Sequence, residues 1–118
     1  MRPEATLQRK IKRLLEKLGY RAVACSNGAV LAGNPKQRAI QMNTLKSLGL
    51  MPGFPDLIVY GPDGKIGHME VKVEGEHADP RQVDVHTWMA DWGHRVVVVR
   101  SLLDVTETYY DRDWETLA

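Results

Sequence analysis

Gly53-Phe54-Pro55-Asp56-Leu57-Ile58-Val59-Tyr60-Gly61-Pro62-Asp63-Gly64-Lys65-Ile66-Gly67-His68-Met69-Glu70-Val71-Lys72-Val73 is the stretch on which the fold turns. Met51 to Pro55 holds two prolines and a glycine, which break regular structure. Asp56–Tyr60 reads as a strand, Gly61–Gly64 as a turn and Ile66–Val73 as the return strand. A three-residue loop Pro62-Asp63-Gly64, with Gly64 at positive φ, fits a type I turn followed by a G1 bulge. That loop sets residue 61 opposite 65, and hence 56 opposite 70. Opposed side chains on paired strands point to the same face. The turn chemistry therefore predicts Asp56 beside Glu70, with Lys72 on the same face as Glu70 by strand alternation.

Outward from the hairpin, helices and strands alternate. Residues 4–18 read as a helix, since Leu7, Ile11, Leu14, Leu15 and Leu18 form one apolar stripe. Pro3 suits its first turn and Gly19 its stop. Tyr20 to Ser26 reads as a short strand, followed by an Asn27-Gly28 turn signal. Residues 35–49 read as a helix or helical turn, opened by Pro35 and with partial helical spacing at Ile40, Leu45 and Leu48 before Gly49. Beyond the hairpin, Asp79 is an N-cap for a helix opened by Pro80-Arg81-Gln82, with a stripe of Val85, Met89 and Trp92 ending at Gly93. Val96-Val97-Val98-Val99, inside Arg95–Arg100, reads as a buried strand from its unbroken apolar run. Leu102 to Leu117 holds a last short helix. The order α-β-(α)-β-β-α-β predicts an α/β fold, a mixed central sheet flanked by helices, in a single domain over residues 1–118.

Composition narrows the function classes. The lone Cys25 excludes a disulfide framework, and with four scattered His it excludes a Cys/His zinc cluster. No apolar run approaches the ~18 residues of a membrane span, and nothing at the N-terminus reads as a secretory signal. The expected setting is a reducing cytoplasm. Charge is asymmetric. Residues 1–50 carry ten Lys/Arg and only Glu4 and Glu16, a net of +8; residues 51–118 carry six basic and thirteen acidic residues, a net of −7. Such halves suggest a basic surface for a polyanion beside an acidic region for a cation, with a merely solvated basic face as the plain alternative.

The acidic region has a specific form. Two carboxylates side by side disfavour joint ionisation, and a divalent cation relieves them. Mg²⁺ is held by one or two carboxylates plus waters and substrate phosphate. Glu4 and Gln82 each head an apolar helical stripe and are expected to converge on one end of the Asp56/Glu70 hairpin. Each also has a plain reading: Glu4 as a favourable charge at a helix N-terminus, Gln82 as a first-turn polar residue. His68 shares the face of Glu70, and reads more readily as structural. Trp88, Trp92 and Trp114 read as core or dimer contacts, and Cys25 as a small buried hydrophobe.

Pro55-Asp56 followed by Glu70-Val71-Lys72 resembles the PD-(D/E)xK nuclease superfamily. The finer pattern resembles its VRR-NUC branch, the virus-type replication-repair nuclease domain. The matching features are Glu4 in the first helix, Asn27-Gly28, Gly53-Phe54-Pro55-Asp56-Leu57, Glu70-Val71-Lys72, Gln82 and Gly93, spanning about residues 4–101. The resemblance implies a restriction-endonuclease-like αβββαβ core. It implies Mg²⁺ or Mn²⁺ bound by Asp56, Glu70 and the backbone carbonyl of Val71. Lys72 would orient the attacking water, Gln82 would position water or phosphate, and Glu4 would reach the metal directly or through water. The implied activity is a metal-dependent DNA endonuclease leaving a 5′-phosphate and a 3′-hydroxyl, with no organic cofactor. Branch members of this size resemble structure-directed phage nucleases that act as homodimers on branched DNA or four-way junctions.

Within that frame Asn27, Lys36, Arg38 and Lys46 are the candidate nucleic-acid contacts, with Arg9, Lys12 and Arg13 behind them. Two other classes stay open: a non-catalytic DNA- or protein-binding module on the same fold, and a helix-turn-helix regulator over residues 36–50. The prolines that follow that segment, and the strands beyond it, argue against the regulator.

Overall fold

The computed structural model describes residues 3–25 and 31–109. Its elements are α1 (Pro3–Lys17), β1 (Arg21–Ala24), α2 (Pro35–Ser47), β2 (Leu57–Tyr60), β3 (Ile66–Val71), α3 (Pro80–Asp91), β4 (Val96–Val99) and α4 (Leu102–Tyr109). The four strands form one sheet in the order β1-β2-β3-β4. β1 and β3 both pair antiparallel with β2, whereas β4 runs parallel to β3. A parallel neighbour needs a crossover, and α3 supplies it. This is the mixed α/β core the sequence predicts, with α2 inserted after β1 and α4 appended.

The hairpin has the predicted register. Leu57 pairs with Met69 and Tyr60 with Ile66, so the ladder brings residue 56 opposite 70. Gly64 has φ +87°, and Gly61 N–H donates to Lys65 O at 2.8 Å. The β1 ladder extends to the loop before β2, where Cys25 N–H donates to Asp56 O at 2.9 Å.

Alternation divides the sheet. Leu57, Val59, Met69, Val71 and Val99 are buried on one face, together with Ile11 and Leu15 of α1 and Val105 and Tyr109 of α4. Tyr20 closes that layer: its hydroxyl donates to Tyr109 O at 3.3 Å and the two rings meet edge-on. The opposite face carries Glu70 and is only partly covered by α3, through Val85 and Met89.

Two sequence expectations are corrected, and the helix over 35–49 forms without a buried face. β4 is an edge strand, and only Val99 of its four valines is fully buried; Val98 is 44% exposed. An unbroken apolar run does not require burial on both faces when α3 covers one of them incompletely. Trp92 is not part of the α3 core stripe. It lies at the helix end, 72% exposed, with its ring 4.8 Å from that of Trp88. α2 forms, capped by Asn34 and Gln37, but buries none of its residues. Its periodicity was too weak to define a core face. Asn27, Gly28 and Trp114 lie outside the described residues. Among the described residues no helix is long and apolar enough to cross a membrane.

Candidate metal and nucleic-acid site

The candidate site forms where β2 begins and β3 ends. Asp56 is anchored at both its backbone and its side chain. Its carbonyl accepts from Cys25, and its Oδ2 accepts from Val71 N–H at 2.8 Å. Gly53 brings this loop against α3. Its φ is +90°, and a Cβ there would lie 2.5 Å from Arg81 O. Only glycine allows so close an approach with that backbone conformation.

Glu70 is 1% exposed and Lys72 8% exposed. Burial pushes the Glu70 carboxyl up to about 9, with the hydrogen bond and negative charge of Asp56 adding to the rise and Lys72 opposing it. Without a cation, burial and the neighbouring carboxylate favour the protonated form of Glu70. Gln82 Nε2 donates to Glu70 Oε2 at 3.3 Å. The same residue closes the cap of α3: its side chain accepts from Asp79 N–H, while Asp79 Oδ1 accepts from Gln82 N–H, each at 3.0 Å. The two readings of Gln82 are thus compatible, and both hold geometrically. Glu4 sits half-buried in the first turn of α1. Desolvation raises its pKa, and the charge of Glu76 and a hydrogen bond with it add to the rise, against the pull of Lys72.

The structure thus brings Asp56, Glu70, Lys72 and Gln82 together, with Glu4 at the margin. Two neighbours escaped the sequence reading. Glu76, in the loop after β3, faces Glu4. His86 of α3 places Nε2 3.5 Å from Glu70 Oε1. The signal for His86 was present, because residues four apart on a helix share a face and His86 follows Gln82 by four. Desolvation lowers the His86 pKa, with the charge of Asp56 opposing it. Lys36, Arg38 and Lys46 lie exposed on α2.

Among the described residues no three His, Cys, Asp or Glu side chains group as a cage for a metal ion. The donors fit a different arrangement. Glu70 Oε1 is buried with no hydrogen-bond partner, beside a second carboxylate. Two carboxylates completed by a backbone carbonyl, water and phosphate suit Mg²⁺, which rarely takes an all-protein cage.

A mixed four-stranded sheet with this helix order defines the restriction-endonuclease-like α/β class. A solved structure described as "VRR_NUC domain" superposes with a TM-score of 0.65 and 27% identity, over 92% of this chain and 96% of the other. A second, "VRR_NUC domain protein", gives 0.64 at 19% identity, over 96% and 89%, a likeness of fold alone. The chain has the VRR-NUC fold that its motifs resemble. A curated relative, "Putative nuclease p44" of Acyrthosiphon pisum secondary endosymbiont phage 1, is 41% identical over 49 residues. That match spans 42% of this chain and 53% of the relative, about half its length. No family model matches the chain.

Proposed function

We propose that the protein is a metal-dependent DNA endonuclease whose site is Asp56, Glu70, Lys72, Gln82 and Glu4. The observation that carries this reading is the buried Glu70 carboxylate, held by Gln82, with one unpartnered oxygen and Asp56 and Lys72 as its charged neighbours. The VRR-NUC fold and the nuclease name of the phage relative support it.

Asp56, Glu70 and the Val71 carbonyl would hold Mg²⁺ or Mn²⁺. Bound there, the cation supplies charge to polarise a phosphodiester and to lower the pKa of a water. Lys72, on the same face as Glu70, orients that water and stabilises the negative charge developing on the phosphate. Gln82 fixes Glu70, and Glu4 reaches the site directly or through water. Lys36, Arg38 and Lys46 on α2, with Asn27, contact the DNA backbone; such contacts position without reading sequence. The substrate is branched DNA (flaps or four-way junctions), cut by a homodimer that presents two sites. Exposed apolar side chains, among them Leu48 and Trp92, are consistent with a second copy, and sedimentation measures it.

The test is cleavage of a panel of branched and linear DNAs with Mg²⁺ or Mn²⁺, with and without EDTA. Wild type is expected to cut only with metal. Asp56→Ala and Lys72→Ala are each expected to abolish cutting while leaving the fold intact. Metal-loaded wild type that cuts nothing overturns the reading. Retained DNA binding in that case points to a non-catalytic module.

A further inference from the structure

We propose that His86 is a positioning residue for the metal-binding carboxylate, its Nε2 fixing Glu70 Oε1 from the second turn of α3. This rests on the metal-site reading above and adds a residue to it. Glu70 has two oxygens. One, Oε2, takes a hydrogen bond from Gln82. The other, Oε1, and His86 Nε2 lie 3.5 Å apart, and both are buried without a hydrogen-bond partner. Buried polar atoms are nearly always partnered. Each can serve the other across a gap that a small side-chain rotation closes, and the second lone pair of Oε1 stays free for a cation.

The helix makes the arrangement economical. Gln82 and His86 stand one turn apart on one face of α3, so a single rigid element addresses both oxygens of Glu70. The Asp79/Gln82 cap fixes the start of that helix. The imidazole acts through Glu70 rather than as a ligand, since His86 completes no group of three side chains able to hold a metal among the described residues. Partners of this kind set a ligand's orientation, and their loss typically weakens metal binding about ten- to a hundredfold.

The experiment is Mn²⁺ titration by calorimetry on the DNA-free protein, comparing wild type with His86→Leu, His86→Gln and His86→Asn. The Gln amide nitrogen can take the place of Nε2; the Asn amide stops one bond short. His86→Leu and His86→Asn are expected to bind Mn²⁺ about tenfold or more weakly, while His86→Gln recovers most of the affinity. The Gln/Asn contrast decides the matter even if the Leu variant does not fold. Binding equal to wild type in the Leu and Asn variants overturns the role of His86 alone, leaving the metal site standing. Equal weakening in Gln and Asn also overturns it, as that is the mark of a purely structural histidine. Wild type that binds no Mn²⁺ overturns the metal site and this proposal together.

Discussion

Gln82 uses the two ends of one amide on two partners: its Oε1 accepts from Asp79 N–H at 3.0 Å, and its Nε2 donates to Glu70 Oε2 at 3.3 Å. The start of α3 and a buried carboxylate are tied through one side chain. Gln82→Ala breaks both links. It is expected to cost about 1 kcal/mol of stability and to lower cleavage at least about tenfold. Asp79→Ala breaks only the cap, so its melting temperature should fall while cleavage well below that temperature stays near wild type. Circular dichroism melts and single-turnover cleavage measure the two effects. Parallel losses of activity in both variants would mean that Gln82 acts through the helix end alone.

Glu70 makes the metal-free protein sensitive to pH in a defined direction. Its carboxyl is raised from 4.5 to about 9, first by burial and then by Asp56. Between those values the folded protein carries a proton that the unfolded chain has lost. The stabilisation is thus fully present below the unfolded value and drains away as pH rises toward the folded one. The slope is up to about 1.4 kcal/mol per pH unit. Glu4, also raised, acts in the same direction. Urea unfolding in EDTA from mildly acidic to mildly alkaline pH should show stability falling, and Mn²⁺ should restore it most at the alkaline end. Glu70→Gln should flatten the profile and abolish cleavage. A wild-type profile that rises with pH would contradict this account of the site.

The hairpin was legible because a tight turn fixes register locally. Gly64 and the loop length were enough to place residue 56 opposite 70 before any tertiary information. Glu4 and Gln82 were legible because a polar residue at the head of an apolar stripe points where the stripe points. His86 was overlooked although the same arithmetic reaches it, since the apolar stripe of Val85 and Met89 drew the reading of α3. The burial of β4 and of Trp92 was not legible for a different reason. Whether an apolar side chain is covered depends on which elements pack over it, and the sheet face that carries Glu70 is only partly covered by α3. α2 shows the same limit: caps at Asn34 and Gln37 specify a helix without specifying what it packs against.

Gly53 holds the loop of Asp56 against the first turn of α3, and two costs fall on any replacement. An Ala would sit at φ +90° and its Cβ would meet Arg81 O at 2.5 Å. Gly53→Ala is expected to cost at least about 2 kcal/mol and to weaken Mn²⁺ binding by moving Asp56 relative to Glu70. Gly64→Ala is the control. Its φ is +87° but nothing lies within 4 Å of the added Cβ, so only the backbone strain of about 1 kcal/mol applies. Urea unfolding of the two variants separates strain from collision; equal losses would remove the close approach as the reason for glycine at 53.

α2 offers a way to test the DNA surface without disturbing the site. It carries Lys36, Arg38 and Lys46, has no acidic residue and buries none of its side chains. Replacing all three with Gln should therefore leave the unfolding midpoint close to wild type. If each cation neutralises one phosphate, the dependence of log affinity on log salt should become shallower by about 2–3 units. Affinity should fall to a similar degree for linear and branched DNA, because phosphate contacts carry no sequence information. Cleavage at saturating DNA should persist, since Asp56, Glu70 and Lys72 are untouched. Binding titrations at several salt concentrations read the slope directly. A slope unchanged by the triple substitution would assign the phosphate contacts to another surface, with Arg9, Lys12 and Arg13 of α1 next to be replaced.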